Sequence, residues 1–120
     1  RRAYIDLTGT LPPVEAARAF LDDPTPSKQK REKLIDALIG SDDFVEHWTN
    51  KWADLLQVNR KFLGESGARA FREYIKKAVA ENKPYDQLVR DILTASGPTI
   101  DKPAAAYYKV LRDADGVMEN

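Results

Sequence analysis

The sequence predicts an all-α fold, an irregular orthogonal-type bundle of six to seven short helices in a single helical domain over residues 1–120. Apolar residues recur at three- and four-residue steps along most of the chain, which places them on one face of a helix. Pro and Gly mark the connectors between these stretches. No stretch alternates polar and apolar residues as a half-buried strand does. A chain of 120 residues is long enough to bury one hydrophobic core.

Residues 41–58 form the stretch around which we expect the core to be organised. They contain both tryptophans and the only histidine. Ser41 is a candidate N-cap, and the acidic residues that follow it complement the positive end of the helix dipole. The predicted inner face of this helix consists of Phe44, Val45, Trp48, Trp52, Leu55 and Leu56.

The remaining elements follow from the same spacing. The predicted helices are residues 1–7, 13–21, 27–39, 68–82, 84–94 and 103–112. Gly9 is placed to end the first helix, and Ser27 to cap the third. Residues 59–67 are predicted to be a polar loop around Gly64 and Gly67, and a further element is expected from Asp113.

Each predicted helix has an apolar face that we expect to be buried. In the second and third helices the inward residues are Val14, Ala17, Phe20, Leu21, Leu34, Ile35, Leu38 and Ile39. In the predicted helices at residues 68–82 and 84–94 they are Phe71, Tyr74, Ile75, Ala78, Val79, Tyr85, Leu88, Val89, Ile92 and Leu93. Their recurrence at helical steps is typical of amphipathic helices that pack around a core.

Composition argues against several kinds of function for these residues. Nineteen basic and nineteen acidic side chains balance, whereas nucleic-acid binders usually carry a basic excess. The absence of cysteine excludes disulfides, thiol catalysis and covalent haem attachment within the chain. No apolar run approaches the roughly 18 residues that span a bilayer. We therefore expect no nucleic-acid partner and no membrane span here.

Two features resemble catalytic motifs but fit ordinary structural roles better. A metal or haem site needs further ligands beside His47, so we interpret His47 as a surface or capping residue on the polar side of its helix. Gly64-Glu65-Ser66-Gly67 resembles a nucleophile elbow, yet position 68 is Ala and no strand precedes Ser66. We assign no catalytic and no metal-binding residue.

A cluster of basic residues occupies the first two turns of the third predicted helix. Lys28, Lys30, Arg31 and Lys33 put positive charge at the positive end of the helix dipole, which opposes local stability. Helix N-termini favour anions, so the cluster is a candidate anion or partner contact. Pairing with nearby acidic residues, or simple solvation, is the structural interpretation, and it is the one that we favour.

Tyr107 and Tyr108 are adjacent on a predicted helix and cannot both face the same core. Aromatic side chains at a surface often mark contacts. We therefore treat this pair as a candidate interdomain contact, with plain partial exposure of one ring as the alternative.

Strings spread along the chain carry a family resemblance. They are RAYIDLTG at residues 2–9, LPP at 11–13, AENKPYDQLVR at 80–90, ILTASG at 92–97, YYKVLR at 107–112 and MEN at 118–120. Together they resemble the domain of unknown function found beside cytochrome-c-like domains in large planctomycete proteins. The resemblance covers nearly the whole chain, and none of these strings is a catalytic signature.

The resemblance implies a long, exported (periplasmic or cell-surface) parent protein with a c-type haem domain, of which this chain is a fragment truncated at its C-terminal end. We expect a non-catalytic helical module positioned beside that haem domain. It would contact neighbouring domains of the same parent chain, with no cofactor of its own and haem c elsewhere. One alternative is an incomplete part of an exported enzyme, such as one acting on polysaccharides, whose site is completed after Asn120. A second alternative is an anion- or nucleic-acid-binding module.

Overall fold

The computed structural model describes residues 1–111, and its secondary structure there is helical without strands, which confirms the all-α prediction. The α-helices are α1 Arg2–Thr8, α2 Val14–Asp22, α3 Ser27–Leu38, α4 Asp42–Leu55, α5 Arg60–Ala80, α6 Tyr85–Thr94 and α7 Ala106–Leu111. A 3₁₀ turn at Pro103–Ala105 precedes α7. The element expected from Asp113 lies outside the described residues.

The chain divides into two compact units, with the boundary inside α4. Unit 1 is Arg1–Trp48, and unit 2 begins at Thr49. None of the helices among residues 1–111 is long and apolar enough to cross a membrane.

Three predicted helix ends can be compared with the structure. Gly9 ends α1 in the left-handed conformation (φ 70°), and its N–H donates to the carbonyl of Ile5, as predicted. Ser41 caps α4, since its Oγ accepts a hydrogen bond from the Phe44 N–H at 3.3 Å. The predicted cap at Ser27 is wrong, because helical residues begin at Ser27 itself and the extended Pro26 occupies the N-cap without a side-chain hydrogen bond.

The loop predicted for residues 59–67 is also wrong, because α5 begins at Arg60. Asn59 caps this helix, and its side-chain oxygen accepts from the Phe62 N–H at 3.1 Å. Gly64, with φ 71° and ψ 173°, leaves the helical conformation and kinks α5 into two helical segments, so the chain does break at this glycine. Gly67 is buried within the helix. Two glycines within four residues usually indicate a loop. The N-cap at Asn59, which starts the helix, was therefore not recognised in the sequence.

The core of unit 2 is centred on α5. Phe71 and Ile75 are fully buried, with 0% of each side chain exposed. Helix α5 packs against α7 and the 3₁₀ turn, and α6 packs against the same turn. The buried apolar cluster is Leu56, Leu63, Ala68, Phe71, Ile75, Ala78, Leu88, Ile92, Ala104, Ala106, Tyr107 and Val110. The expectation that α4 would form the centre is therefore wrong for unit 2, where Trp52 is only partly buried at the edge of this cluster.

Unit 1 buries fewer side chains completely. Helices α1 and α3 pack together, and the buried residues of this unit are Thr8, Leu38 and Val45. Val14 and Leu21, expected inside, are largely exposed. The apolar faces of α2 and α3 are thus incompletely covered, which leaves room for the pocket described next.

Candidate binding surfaces

Unit 1 contains a pocket of about 620 Å³ formed by α1, α2 and α3. We call it the unit 1 pocket. Its apolar lining includes Tyr4, Ala17, Phe20, Leu34 and Ile35. Sites for small molecules generally measure about 300–1,000 Å³ and are lined mainly by apolar side chains. The volume and lining of this pocket lie within that description.

Three arginines complete the lining of the unit 1 pocket: Arg1, Arg2 and Arg31. Arg2 pairs with Asp6 across one turn of α1 at 3.4 Å, and both side chains are mostly exposed. Arg1 and Arg31 form no ion pair within residues 1–111. No aspartate or glutamate among the described residues lines the pocket. The pocket therefore combines an apolar lining with an excess of positive charge.

The basic cluster predicted on α3 separates into different roles. The ammonium of Lys30 donates hydrogen bonds to the carbonyls of Phe20 at 3.0 Å and Asp23 at 3.1 Å. It also lies 4.8 Å from the centre of the Phe20 ring. A cation suits the carbonyl end of a helix, so Lys30 caps α2 and holds Phe20 in place at the pocket.

The other three members of the cluster do not form one site with Lys30. Lys28 is paired with Glu32 on the solvent side at 4.0 Å. The hydrogen bonds from Thr25 are the main cause that lowers the pKa of Asp23, and the exposed Lys33 adds a small electrostatic contribution. Of the four residues of the candidate anion contact, only Arg31 lines the unit 1 pocket.

Unit 2 presents a second apolar surface, which we call the α4–α6 face. Leu55, Tyr85 and Leu93 are 56%, 66% and 52% exposed. They surround a depression of about 180 Å³ that Trp52 and the buried Leu88 also line. The Trp52 and Tyr85 rings lie 5.7 Å apart. Burial of Leu55, Tyr85 and Leu93 was predicted from helical spacing and is wrong, because α4 and α6 turn these side chains to the rim.

The two candidate contact tyrosines lie beside this face. Tyr107 is 7% exposed and contributes to the floor of the depression, whereas Tyr108 is 37% exposed. The Tyr108 hydroxyl donates to the Leu93 carbonyl at 2.6 Å, which ties α7 to the end of α6. The structure thus separates the pair into one core residue and one partly exposed residue.

His47 was expected on the polar side of α4, and this is wrong. Its ring packs on Gly9, where a Cβ built on the glycine would overlap Nδ1 and lie 2.7 Å from Cε1. Nε2 is buried and has no hydrogen-bond partner within residues 1–111. Among the same residues, no three His, Asp or Glu side chains are grouped as metal ligands. The histidine is a packing residue that requires glycine at position 9.

Tyr74, Lys83 and Asp91 form a polar cluster in unit 2. Asp91 accepts hydrogen bonds from Lys83 and, at 3.3 Å, from the Tyr74 hydroxyl. The hydrogen bond with Lys83 is the main cause that lowers the pKa of Asp91, and it likewise raises the pKa of Lys83. Burial is the main cause that raises the pKa of Tyr74. All three pKa values are shifted away from neutral pH, whereas a general acid or base works best with a pKa near the operating pH. The cluster therefore joins α5, α6 and their connector rather than moving protons.

Acid should weaken unit 2 partly through this cluster, and Asp91→Asn should reduce that effect. The pKa of Asp91 is lower in the folded protein than its ordinary 3.8. Its stabilising contribution is therefore complete above that value and is lost as the pH falls through the folded pKa. Urea midpoints measured at about pH 6 and about pH 3 should differ less in Asp91→Asn than in the parent sequence. The exposed Asp101→Asn is the control, and an equal change in both variants would contradict the assignment.

The features of the unit 1 pocket that matter most were not identified from the sequence. Phe20, Leu34 and Ile35 were expected to lie inward, but nothing distinguished a pocket wall from a filled core. The spacing of apolar residues is the same in both cases. The two contacts of Lys30 and the position of Arg31 depend on how α2 meets α3.

A family profile described as PSCyt2, protein of unknown function (DUF1549), matches residues 1–119. The chain belongs to this family. The match confirms the resemblance carried by the strings quoted above. No curated protein and no solved structure matches the chain.

Some of those strings have clear structural roles in this PSCyt2 chain. In RAYIDLTG, Thr8 is buried and its hydroxyl donates to the Tyr4 carbonyl at 2.8 Å, and Gly9 makes room for His47. In AENKPYDQLVR, Lys83 binds Asp91 and Leu88 belongs to the core. These residues stabilise turns and contacts between helices. Such structural roles are consistent with strings that contain no catalytic motif.

Proposed function

We propose that this PSCyt2 chain is a non-catalytic helical module that docks a neighbouring domain of a larger, exported parent protein. The observation that carries the proposal is the α4–α6 face. Three large apolar side chains, Leu55, Tyr85 and Leu93, remain more than half exposed around one depression. An exposed apolar patch that includes an aromatic side chain is typical of a protein contact.

The size of the depression favours a protein partner over a small molecule at this face. Its volume of about 180 Å³ lies below the roughly 300–1,000 Å³ of small-molecule sites. It suits an apolar side chain of a partner, with Leu55, Tyr85 and Leu93 packing around that side chain. Tyr107 in the floor and Tyr108 beside it then contribute to the contact as the sequence suggested.

A c-type haem domain is the neighbour that we propose, on the strength of the family resemblance alone. The test is a visible absorption spectrum of the full-length parent, produced in a host that matures c-type haem. A Soret band that shifts on reduction would support this neighbour. A spectrum without haem would overturn it, and substrates would then be screened for the enzyme alternative on the longer chain.

Docking itself is tested by oxidative footprinting of the full-length parent and of the 120-residue chain. We expect Tyr85 to be oxidised readily in the chain and much more slowly in the parent, because the partner would bury the ring and shield it from radicals in the solvent. Ile100, which is 66% exposed but does not line the depression, serves as the matched reference. Equal oxidation of Tyr85 in both proteins would overturn docking at this face.

Variants of the parent sharpen the same experiment. Leu55→Glu and Leu93→Glu place a charge on the apolar contact and should restore the oxidation of Tyr85, because an unpaired buried charge is costly. Ile100→Glu is the control and should leave Tyr85 protected. Restoration by the control variant would show that the protection arises elsewhere.

A further inference from the structure

We propose that the unit 1 pocket is a binding site for an apolar molecule that carries one anionic group, such as an alkyl carboxylate. This inference does not depend on the docking function, because the pocket and the α4–α6 face are built from different residues in different units.

The size of the pocket is the first argument. The unit 1 pocket is partly open to solvent and measures about 620 Å³. This volume lies within the roughly 300–1,000 Å³ of small-molecule sites.

The position of Phe20 is the second argument, because this wall of the pocket is held in place. Lys30 donates to the Phe20 carbonyl at 3.0 Å and lies 4.8 Å from the centre of its ring. A second bond from the same ammonium to the Asp23 carbonyl fastens the end of α2 to α3. These contacts hold Phe20 along the pocket, and a wall that is already ordered lowers the ordering cost of binding.

The positive charge of the lining is the third argument, because it favours a ligand that carries an anionic group. Arg31 and Arg1 have no ion pair within residues 1–111, and no acidic side chain among those residues lines the pocket. A guanidinium binds a carboxylate through two parallel hydrogen bonds, which a lysine ammonium does not match. The apolar body of the ligand would lie along Tyr4, Phe20 and Leu34, and its anionic group would lie at Arg31.

A nucleic acid fits this pocket poorly. Such a partner needs an extended basic surface for successive phosphates, whereas Lys28 and Lys30 are engaged elsewhere and the lining is mainly apolar. The pocket therefore favours a single anionic group on an apolar body.

Calorimetry of the 120-residue chain with dodecanoate, below its micelle concentration, tests the proposal. We expect saturable one-to-one binding and none with dodecylammonium, which has the same apolar chain and the opposite charge. Arg31→Gln should weaken dodecanoate binding about ten-fold, the effect of losing one hydrogen bond to a charged group. Arg18→Gln removes an arginine from α2 that does not line the pocket and should have no effect.

A pocket-filling variant locates the site. Ala17→Phe should abolish dodecanoate binding, and its thermal unfolding shows whether it remains folded. If Ala17→Phe does not fold, the comparison of Arg31→Gln with Arg18→Gln tests the proposal instead. Both arginine side chains are exposed, so we expect both of these variants to fold.

Several outcomes would overturn the proposal. These are no saturable binding, equal binding of dodecylammonium, or equal effects of Arg31→Gln and Arg18→Gln. Loss of binding in Leu55→Glu but not in Ala17→Phe would move the ligand to the α4–α6 face. Binding to the chain but not to the full-length parent would show that another part of the protein covers the pocket.

Discussion

Replacing Gly9 by Ala should destabilise the protein by about 2–4 kcal/mol, as the sum of a backbone cost and a steric cost. Gly9 has φ 70°, a conformation in which a Cβ costs about 1 kcal/mol. The new Cβ would also overlap Nδ1 of His47 and lie 2.7 Å from its Cε1. Either α1 or α4 must shift within unit 1 to accommodate the methyl group. Urea unfolding followed by tryptophan fluorescence measures the loss.

Two further variants separate these costs. Gly40 has φ 79°, and a Cβ there would meet nothing within 4 Å, so Gly40→Ala should show the backbone cost of about 1 kcal/mol alone. In a His47→Ala background, Gly9→Ala should lose most of its additional effect, because the ring that it strikes is gone. Equal losses for Gly9→Ala and Gly40→Ala would show that the histidine contact does not matter.

Phe71→Ala should destabilise unit 2 by about 3–5 kcal/mol, the usual cost of removing a buried phenylalanine ring and leaving a cavity. Phe71 is completely buried and its ring lies 6.5 Å from that of Tyr74. Because the core of unit 2 is centred on α5, little of the surrounding structure can collapse into the space. Thermal unfolding and urea unfolding should both show the loss.

The matched comparison is Leu55→Ala on α4. The sequence placed Leu55 on the inner face of the central helix, but it is 56% exposed. We expect Leu55→Ala to change the unfolding free energy by about 0.5 kcal/mol or less, as is usual at surface positions. Losses of similar size for Phe71→Ala and Leu55→Ala would contradict the assignment of the core to α5.

The local structure of this protein was largely predictable. Helical spacing located the helices, and Gly9 and Ser41 end and begin helices as expected. These features depend on backbone conformation and on hydrogen bonds to near neighbours in the chain, which the residue types themselves reveal. The main local error was at residues 60–67, where a helix capped by Asn59 begins and only Gly64 interrupts it.

The candidate sites were much less predictable. An apolar face has the same spacing whether it fills a core, lines a pocket or remains exposed for a partner. Leu88 and Leu93 illustrate this, since both fit the apolar pattern of α6, yet one is buried and the other is half exposed. Lys30 is a second case, because its partners lie seven and ten residues away on the chain.

The sequence by itself determined the fold class, the family and most helix positions, because these follow from spacing, caps and recognisable strings. The tertiary structure decided that α5 forms the core of unit 2, that His47 packs on Gly9 and that Arg31 faces a pocket. Each of these depends on contacts between residues far apart in the chain. The physical reason is that burial and charge pairing are set by which surfaces meet, and no single helix carries that information.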